Sequence, residues 1–174
     1  MEPSPEIQPI TAPRTDTPTV SIGLPVYNGE RCVQQALDSM LSQTFTHFEL
    51  IISDNASTDN TAKICQEYAQ RDKRVRYIRQ TENRGACANF QFVLDESRGA
   101  FFMWAGHDDT RSPDFIRVNL DFLLKNKDFV ASTSPVRYDG EGFNQTRMGD
   151  KSIIGTKPQR FVKLLRNCYG NGRV

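Results

Sequence analysis

The sequence predicts an α/β fold: a doubly wound, mostly parallel sheet with helices on both faces. Two observations carry that expectation. Strand-length apolar runs alternate four times with segments of helical period, the order expected of a parallel sheet with crossover helices. Polar loops follow the first, second and fourth runs, and strands of one direction bring such loops to one edge. Open α/β sheets hold their ligands at that edge.

Each element has its own justification. Thr19–Leu24 reads as a strand stopped by Pro25. Asn28-Gly29 turns the chain into a helix whose apolar positions Val33, Ala36, Leu37, Met40 and Leu41 recur at helical spacing. Phe48–Ser53 is a second strand, and the stretch from Asp54 to Asp59 offers side chains able to cap the next helix. That helix turns Ile64, Cys65 and Tyr68 inward. Val75–Arg79 is a short third strand, and Asn83-Arg84-Gly85 leads into a helix with Ala86, Phe90, Val93 and Leu94 inward.

Phe101–Trp104 is apolar throughout, as expected of a central strand buried on both faces. It breaks at Gly106 and presents His107, Asp108 and Asp109. A helix then starts at Pro113 with Ser112 as its cap, burying Ile116, Leu120, Leu123 and Leu124. Phe129–Ser134 is one more strand. Past Pro135 the pattern weakens to a turn at Asp139–Gly142, a short strand at Ser152–Gly155 and an amphipathic helix over Pro158–Asn167.

Composition bounds the partners. The 174 residues suffice for one domain with a sizeable core. Residues 1–18 carry five of the nine prolines and almost no large apolar side chain, so they are expected to form a disordered tail. A net charge of +1 gives no bulk attraction to nucleic acid or to an anionic membrane surface. No apolar run reaches the roughly 18 residues of a membrane span, and the start lacks the apolar core of a signal peptide. Cys32, Cys65, Cys87 and Cys168 show no zinc-type pairing and read as reduced core residues of a cytosolic protein. On that reading the N-x-S/T matches at Asn55 and Asn144 are chance.

The polar loops carry the chemistry. Tyr27 can stack on a base, and Asp54 can accept hydrogen bonds from a base or ribose. Asp108 and Asp109 are hard oxygen ligands suited to Mg²⁺ or Mn²⁺ held together with substrate phosphates. Each has a plain structural alternative: Tyr27 as packing, Asp54 as a helix cap, and the Asp pair as an acidic turn. Their order along the chain favours chemistry.

The ordered set Val20-Ser21-Ile22-Gly23-Leu24-Pro25-Val26-Tyr27-Asn28, Glu49 to Asp59, Asn83-Arg84-Gly85 and Asp108-Asp109 with Pro113 resembles the inverting family 2 glycosyltransferases of GT-A fold. The likeness runs from residue 19 to the C-terminus, a GT-A-like domain over 19–174. It implies that Pro25, Tyr27 and Asn28 line the nucleotide pocket and that Asp54 reads the base. Asn83, Arg84 and Gly85 would shape the donor side. Asp108 would face the ribose or sugar and stand beside the metal, and Asp109 would ligate Mn²⁺ or Mg²⁺ on the diphosphate. The implied reaction is metal-assisted transfer, with inversion, from a nucleotide-diphospho-sugar. A UDP-sugar is the default donor, and the acceptor a saccharide or lipid-linked saccharide. The implied setting is polysaccharide biosynthesis at the cell envelope, by a cytoplasmic protein peripheral to the inner face of the membrane.

Two departures stand out. Gly106 and His107 occupy places where many relatives carry an acidic residue, and His107 serves as a pocket wall or a ligand. The second, acceptor-binding half of the family is expected beyond Val174, together with the general base. Asp139, Glu141 and Asp150 are weak substitutes for that base. A sheet without that half would leave Phe101, Phe102 and Trp104 poorly covered and favour self-association.

Other classes fit less well. A sugar nucleotidyltransferase would need a Gly-rich basic loop after the first strand, and a dehydrogenase G-x-G-x-x-G there. Arg71, Lys73, Arg74, Arg76 and Arg79 are interrupted by Asp72 and read as a solvated edge, not a nucleic-acid surface. The serious rival is a non-catalytic module that binds a nucleotide-sugar or a partner subunit.

Overall fold

A computed structural model of the chain describes residues 17–134. The expectations for residues 1–16 and from Pro135 onward, including Asp139, Glu141, Asp150 and Cys168, lie outside the described residues. The described elements run β1 (Val20–Val26), α1 (Val33–Leu41), β2 (Phe48–Asp54), α2 (Thr61–Arg71), β3 (Val75–Arg79), α3 (Ala86–Asp95), β4 (Phe101–Trp104) and α4 (Phe115–Lys125). They belong to one unit ending at Val130, and Ala131 onward groups separately. No helix among the described residues is long and apolar enough to cross a membrane.

The four strands form one parallel sheet in the order β3-β2-β1-β4. The register pairs Val26 with Asp54 and Asp54 with Arg79, so these strands end in line. β1 and β2 are buried along their whole length, as interior strands must be. Alternate residues point to opposite faces. On one face Val20, Ile22, Leu24, Val26, Leu50 and Ile52 join Leu37 and Met40 of α1, Cys65 of α2 and Ile116 and Leu120 of α4. Burying a side chain of that size contributes about 2 kcal/mol, so this face holds most of the stability.

The opposite face is thinner and partly polar. There α3 lies directly on the sheet: a Cβ on Gly23 would sit 2.7 Å from Val93 Cγ2 and 2.8 Å from Phe102 Cζ. Asn89 anchors the helix, accepting from Ser53 Oγ at 2.6 Å and donating to the Ser53 carbonyl at 3.0 Å. At the amino end of the same face Glu49 gathers Ser21, Arg76 and Arg98.

Several expectations need correction. Among the described residues Phe101–Trp104 lies at the edge of the sheet and not at its centre: it pairs only with β1, and Trp104 is 47% exposed. The interior places go to the longer β1 and β2. Trp104 instead forms a surface aromatic group with Phe102 and Phe90, its ring N–H donating to the Phe90 carbonyl. Phe90 and Ala86 are thus outward, and Asn89 and Val93 form the buried face of α3.

Pro25 does not stop β1. Gly23 accepts from Ala105 N–H on the β4 side, so Pro25, two residues on, also faces that side, where the ladder has already ended at Gly23–Trp104. No donor is needed there. α4 begins at Phe115, not Pro113, with Asp114 rather than Ser112 at the cap position. Thr44 N–H and Oγ1 hold Pro113 and Asp114 outside the helix. Leu124 is exposed. Phe129–Ser134 forms no strand, and Val130 is 82% exposed. Of the described cysteines only Cys65 is a core residue, its thiol pushed up to about 12 by burial and then by Asp54 and Asp59. Cys32 is half-buried and Cys87 exposed.

Candidate active site at the carboxyl edge of the sheet

Loops follow all four strands at the carboxyl edge; side chains bind the first three to one another, and the fourth packs against the first. The first and second are laced together. Asn28 N–H donates to Ser57 Oγ at 3.0 Å, and Asn28 Oδ1 accepts from Thr58 N–H at 2.8 Å. Gly29 N–H donates to Thr61 Oγ1 at 2.8 Å, Glu30 N–H to Asp59 Oδ2 at 3.1 Å, and Asn60 back to Glu30 Oε2. Asn28 (φ 51°) and Ala56 (φ 60°) are both left-handed. Asparagine tolerates that conformation, whereas alanine is strained in it by about 1 kcal/mol. Ala56→Gly should therefore stabilise the chain by about 0.5 kcal/mol after the glycine's extra unfolded-state freedom is counted. A thermal melt checks this, and an unchanged or lower midpoint would contradict it.

Asp54, expected to read the base, lies beneath this layer. It is fully buried. Its Oδ1 accepts from Ser57 N–H at 2.8 Å; its Oδ2 accepts from the Tyr77 hydroxyl at 2.8 Å and meets Arg79 Nη1 at 3.5 Å. Burial, and then the carboxylate, raise the Tyr77 phenol well above its usual range. The Asp54 carboxylate thus ties the second loop to β3 and presents no oxygen outward.

The residue after it reaches the third loop. Asn55 Nδ2 donates to Asn83 Oδ1 at 2.8 Å and toward the Gly85 carbonyl at 3.3 Å, and Asn55 Oδ1 accepts from Arg84 N–H at 3.0 Å. Asn83 Oδ1 also accepts from Gly85 N–H at 2.9 Å, where Gly85 takes φ 83° to enter α3. Asn83, Arg84 and Gly85 are all exposed at the rim. The sequence placed Asn55 in the second polar loop and Arg79 on a basic edge but gave neither a role in joining the loops; an amide right after the strand-ending Asp54, able to make up to four hydrogen bonds, was the available signal.

The fourth loop closes the edge. A Cβ on Gly29 would meet His107 Cδ2 at 2.8 Å, so the imidazole forms a wall against the first loop. A Cβ on Gly106 would lie 2.9 Å from both Asp108 Oδ1 and Asp109 Oδ2. The two oxygens therefore stand no more than twice that distance apart, and both side chains are exposed. Burial first, then the charges of Asp108 and Asp59, raise the Cys32 thiol, which reports the negative field here. Pro25 is buried below, Tyr27 is 43% exposed, and Asn28 is exposed.

The sequence that builds this edge matches a known family. The model of glycosyl transferase family 2 fits residues 21–171. The chain belongs to that family. Its relatives include an uncharacterised glycosyltransferase of Haemophilus influenzae, 33% identical over 86% of this chain and 58% of its own length. The putative glycosyltransferase EpsE of Bacillus subtilis is 30% identical over 75% of this chain and 48% of its length. The putative teichuronic acid biosynthesis glycosyltransferase TuaG of the same organism is 32% identical over 62% and 43%. The chain thus spans about half the length of these curated relatives.

Solved structures share the fold. Staphylococcus aureus TarS in complex with UDP-GlcNAc superposes with a TM-score of 0.58 at 25% identity, over 62% of this chain and 31% of that one. The mannosyltransferase PcManGT of Pyrobaculum calidifontis, in complex with GDP-Man and Mn²⁺, gives 0.57 at 24% identity over 67% and 36%. The GT-A assignment of the parallel sheet rests on these likenesses.

Proposed function

We propose that this chain binds the nucleoside-diphosphate end of a nucleotide-sugar at the carboxyl edge of its sheet. In that role it supplies the donor side of an inverting, metal-assisted glycosyltransferase. The observation that carries the reading is a carboxyl edge at which three loops are laced together and a fourth, carrying Asp108 and Asp109, packs against the first through His107. Tyr27 offers an exposed ring to the base, and Asn28, Asn83, Arg84 and Gly85 are exposed polar groups of the same edge. Pro25 and Asp54 hold the floor, so Asp54 acts on the base through the loop it fixes. Asp108 faces the ribose or sugar.

The donor set fits a hard divalent cation. The described residues hold no group of three or more His, Cys, Asp or Glu side chains that could hold a metal. Asp109 and Asp108 would therefore share Mn²⁺ or Mg²⁺ with phosphate oxygens, as such ions prefer. When bound, the ion neutralises charge gathering on the leaving diphosphate. The protein's own part is to position the donor so that the face opposite the diphosphate is open to an acceptor hydroxyl.

UDP is the favoured nucleotide, supported by the UDP-GlcNAc complex of TarS. A polysaccharide acceptor is supported by the teichuronic acid role in the name of TuaG. The exposed Phe90 and Trp104 support self-association. Calorimetric titration with UDP, GDP and dTDP in Mn²⁺ tests the site, with UDP expected to bind and to bind more weakly once the metal is chelated. Failure of all three nucleotides on a folded sample means that the site is misassigned.

A further inference from the structure

Beside the two carboxylates stands a cation that the sequence motifs do not include. Arg111 Nη2 lies 3.2 Å from Asp109 Oδ2, with the arginine side chain 23% exposed against 54% for the aspartate. Other contacts hold the same guanidinium. Nη1 donates to the Thr110 carbonyl at 3.1 Å, and the group sits over the Phe115 ring at 5.4 Å from its centroid. Arg111 N–H donates to Ser39 Oγ of α1 at 3.2 Å, so the backbone beneath it is also pinned.

A guanidinium fixed in this way cannot travel with the carboxylate. When Asp109 engages a divalent cation, the positive charge stays beside it and opposes the ion. The same charge attracts a diphosphate, whose oxygens suit the planar donors of arginine.

We infer that Arg111 is a fixed counter-charge that sets what the site accepts first: it disfavours a bare divalent cation at Asp109 and favours the anionic diphosphate. Nucleotide and metal then bind with positive coupling, each strengthening the other by the same factor. The inference rests on Asp109 being a metal ligand, and Arg111 is a positioning residue in it.

The test uses the whole chain at low ionic strength, where exposed charges are least screened. Mn²⁺ alone is titrated by loss of its free-ion paramagnetic resonance signal, and UDP alone by calorimetry without metal. Arg111→Met keeps an apolar stem on Phe115, and Arg111→Lys keeps the charge. Arg111→Met should bind bare Mn²⁺ about fivefold more tightly and metal-free UDP about fivefold more weakly, as expected for one partly exposed charge pair. Arg111→Lys should stay near wild type in both. Opposite signs separate this role from structural damage, which weakens both ligands together. Joint weakening, or unchanged Mn²⁺ affinity in Arg111→Met, overturns the inference while leaving the metal site standing if Mn²⁺ still binds with UDP. If Mn²⁺ binds neither protein even with UDP present, the metal reading falls and this inference with it.

Discussion

Asp109→Ala should bind UDP equally well with and without Mn²⁺, the metal having lost its hold on the protein. Asp109 is the better placed of the two carboxylates to be the principal ligand. The Oδ2 of its exposed side chain shares the space over Gly106 with Asp108 Oδ1, even though Arg111 opposes a bare cation there. Removing an outer-shell partner of a metal ligand typically costs 10- to 100-fold in affinity. Loss of a ligand itself should cost at least the upper end, on the order of a hundredfold in Mn²⁺. Asp109→Asn, which keeps the shape and loses the charge, should behave like the alanine variant. The fold should be unaffected, because the side chain is exposed and its loss leaves no cavity. Persistent strengthening of UDP binding by Mn²⁺ in either variant would place the metal elsewhere.

At the other end of the sheet, Glu49→Ala should be the most damaging of these changes to stability, at about 3 kcal/mol. The Glu49 side chain is 4% exposed, yet five donors converge on its carboxylate. Ser21 Oγ and Arg98 N–H reach Oε1 at 2.7 and 3.0 Å; Arg98 Nη2 and Nε reach Oε2 at 2.6 and 3.0 Å, and Arg76 Nη1 at 3.1 Å. Breaking a buried pair typically costs about 3–5 kcal/mol, and the lower figure applies because the guanidinium groups left behind can turn to water. Arg98 is 57% and Arg76 30% exposed.

The same site makes stability depend on pH. Burial alone would raise the Glu49 carboxyl, but the bonds from Arg98, Ser21 and Arg76 outweigh it and hold it below the ordinary 4.5. A depressed acid stabilises the fold above its unfolded value, and that contribution is lost as pH falls through the folded value. Wild-type stability should therefore decline as pH drops below 4.5, and the Glu49→Gln profile should decline less. Urea denaturation at stepped pH measures both. Parallel profiles would mean that the acid loss comes from other carboxylates.

What the sequence determined by itself is the class of fold and the sheet edge at which the polar loops gather. Four alternations of period suffice, because hydrophobic spacing is local and parallel strands force their following loops to one edge. Val33, Ala36, Leu37 and Met40 were legible as a buried face for that reason. The loops after the first, second and fourth strands, the last carrying Asp108 and Asp109, were legible as parts of one edge, whereas Asn83–Gly85 entered only through the family resemblance.

Tertiary structure decided which strand is interior and which side chains reach the surface. Four apolar residues in a row cannot reveal how many neighbours a strand has, so Phe101–Trp104 looked central and lies at an edge of the described sheet. Asp54 and Asn55 are adjacent and equally polar. Only the partners brought by β3 and the third loop bury the first carboxylate and turn the second side chain toward Asn83. Arg111 is an ordinary surface residue until Thr110, Phe115 and Asp109 surround it. Its contact with Ser39 joins residues 72 positions apart, and a pairing that distant leaves no trace in local spacing.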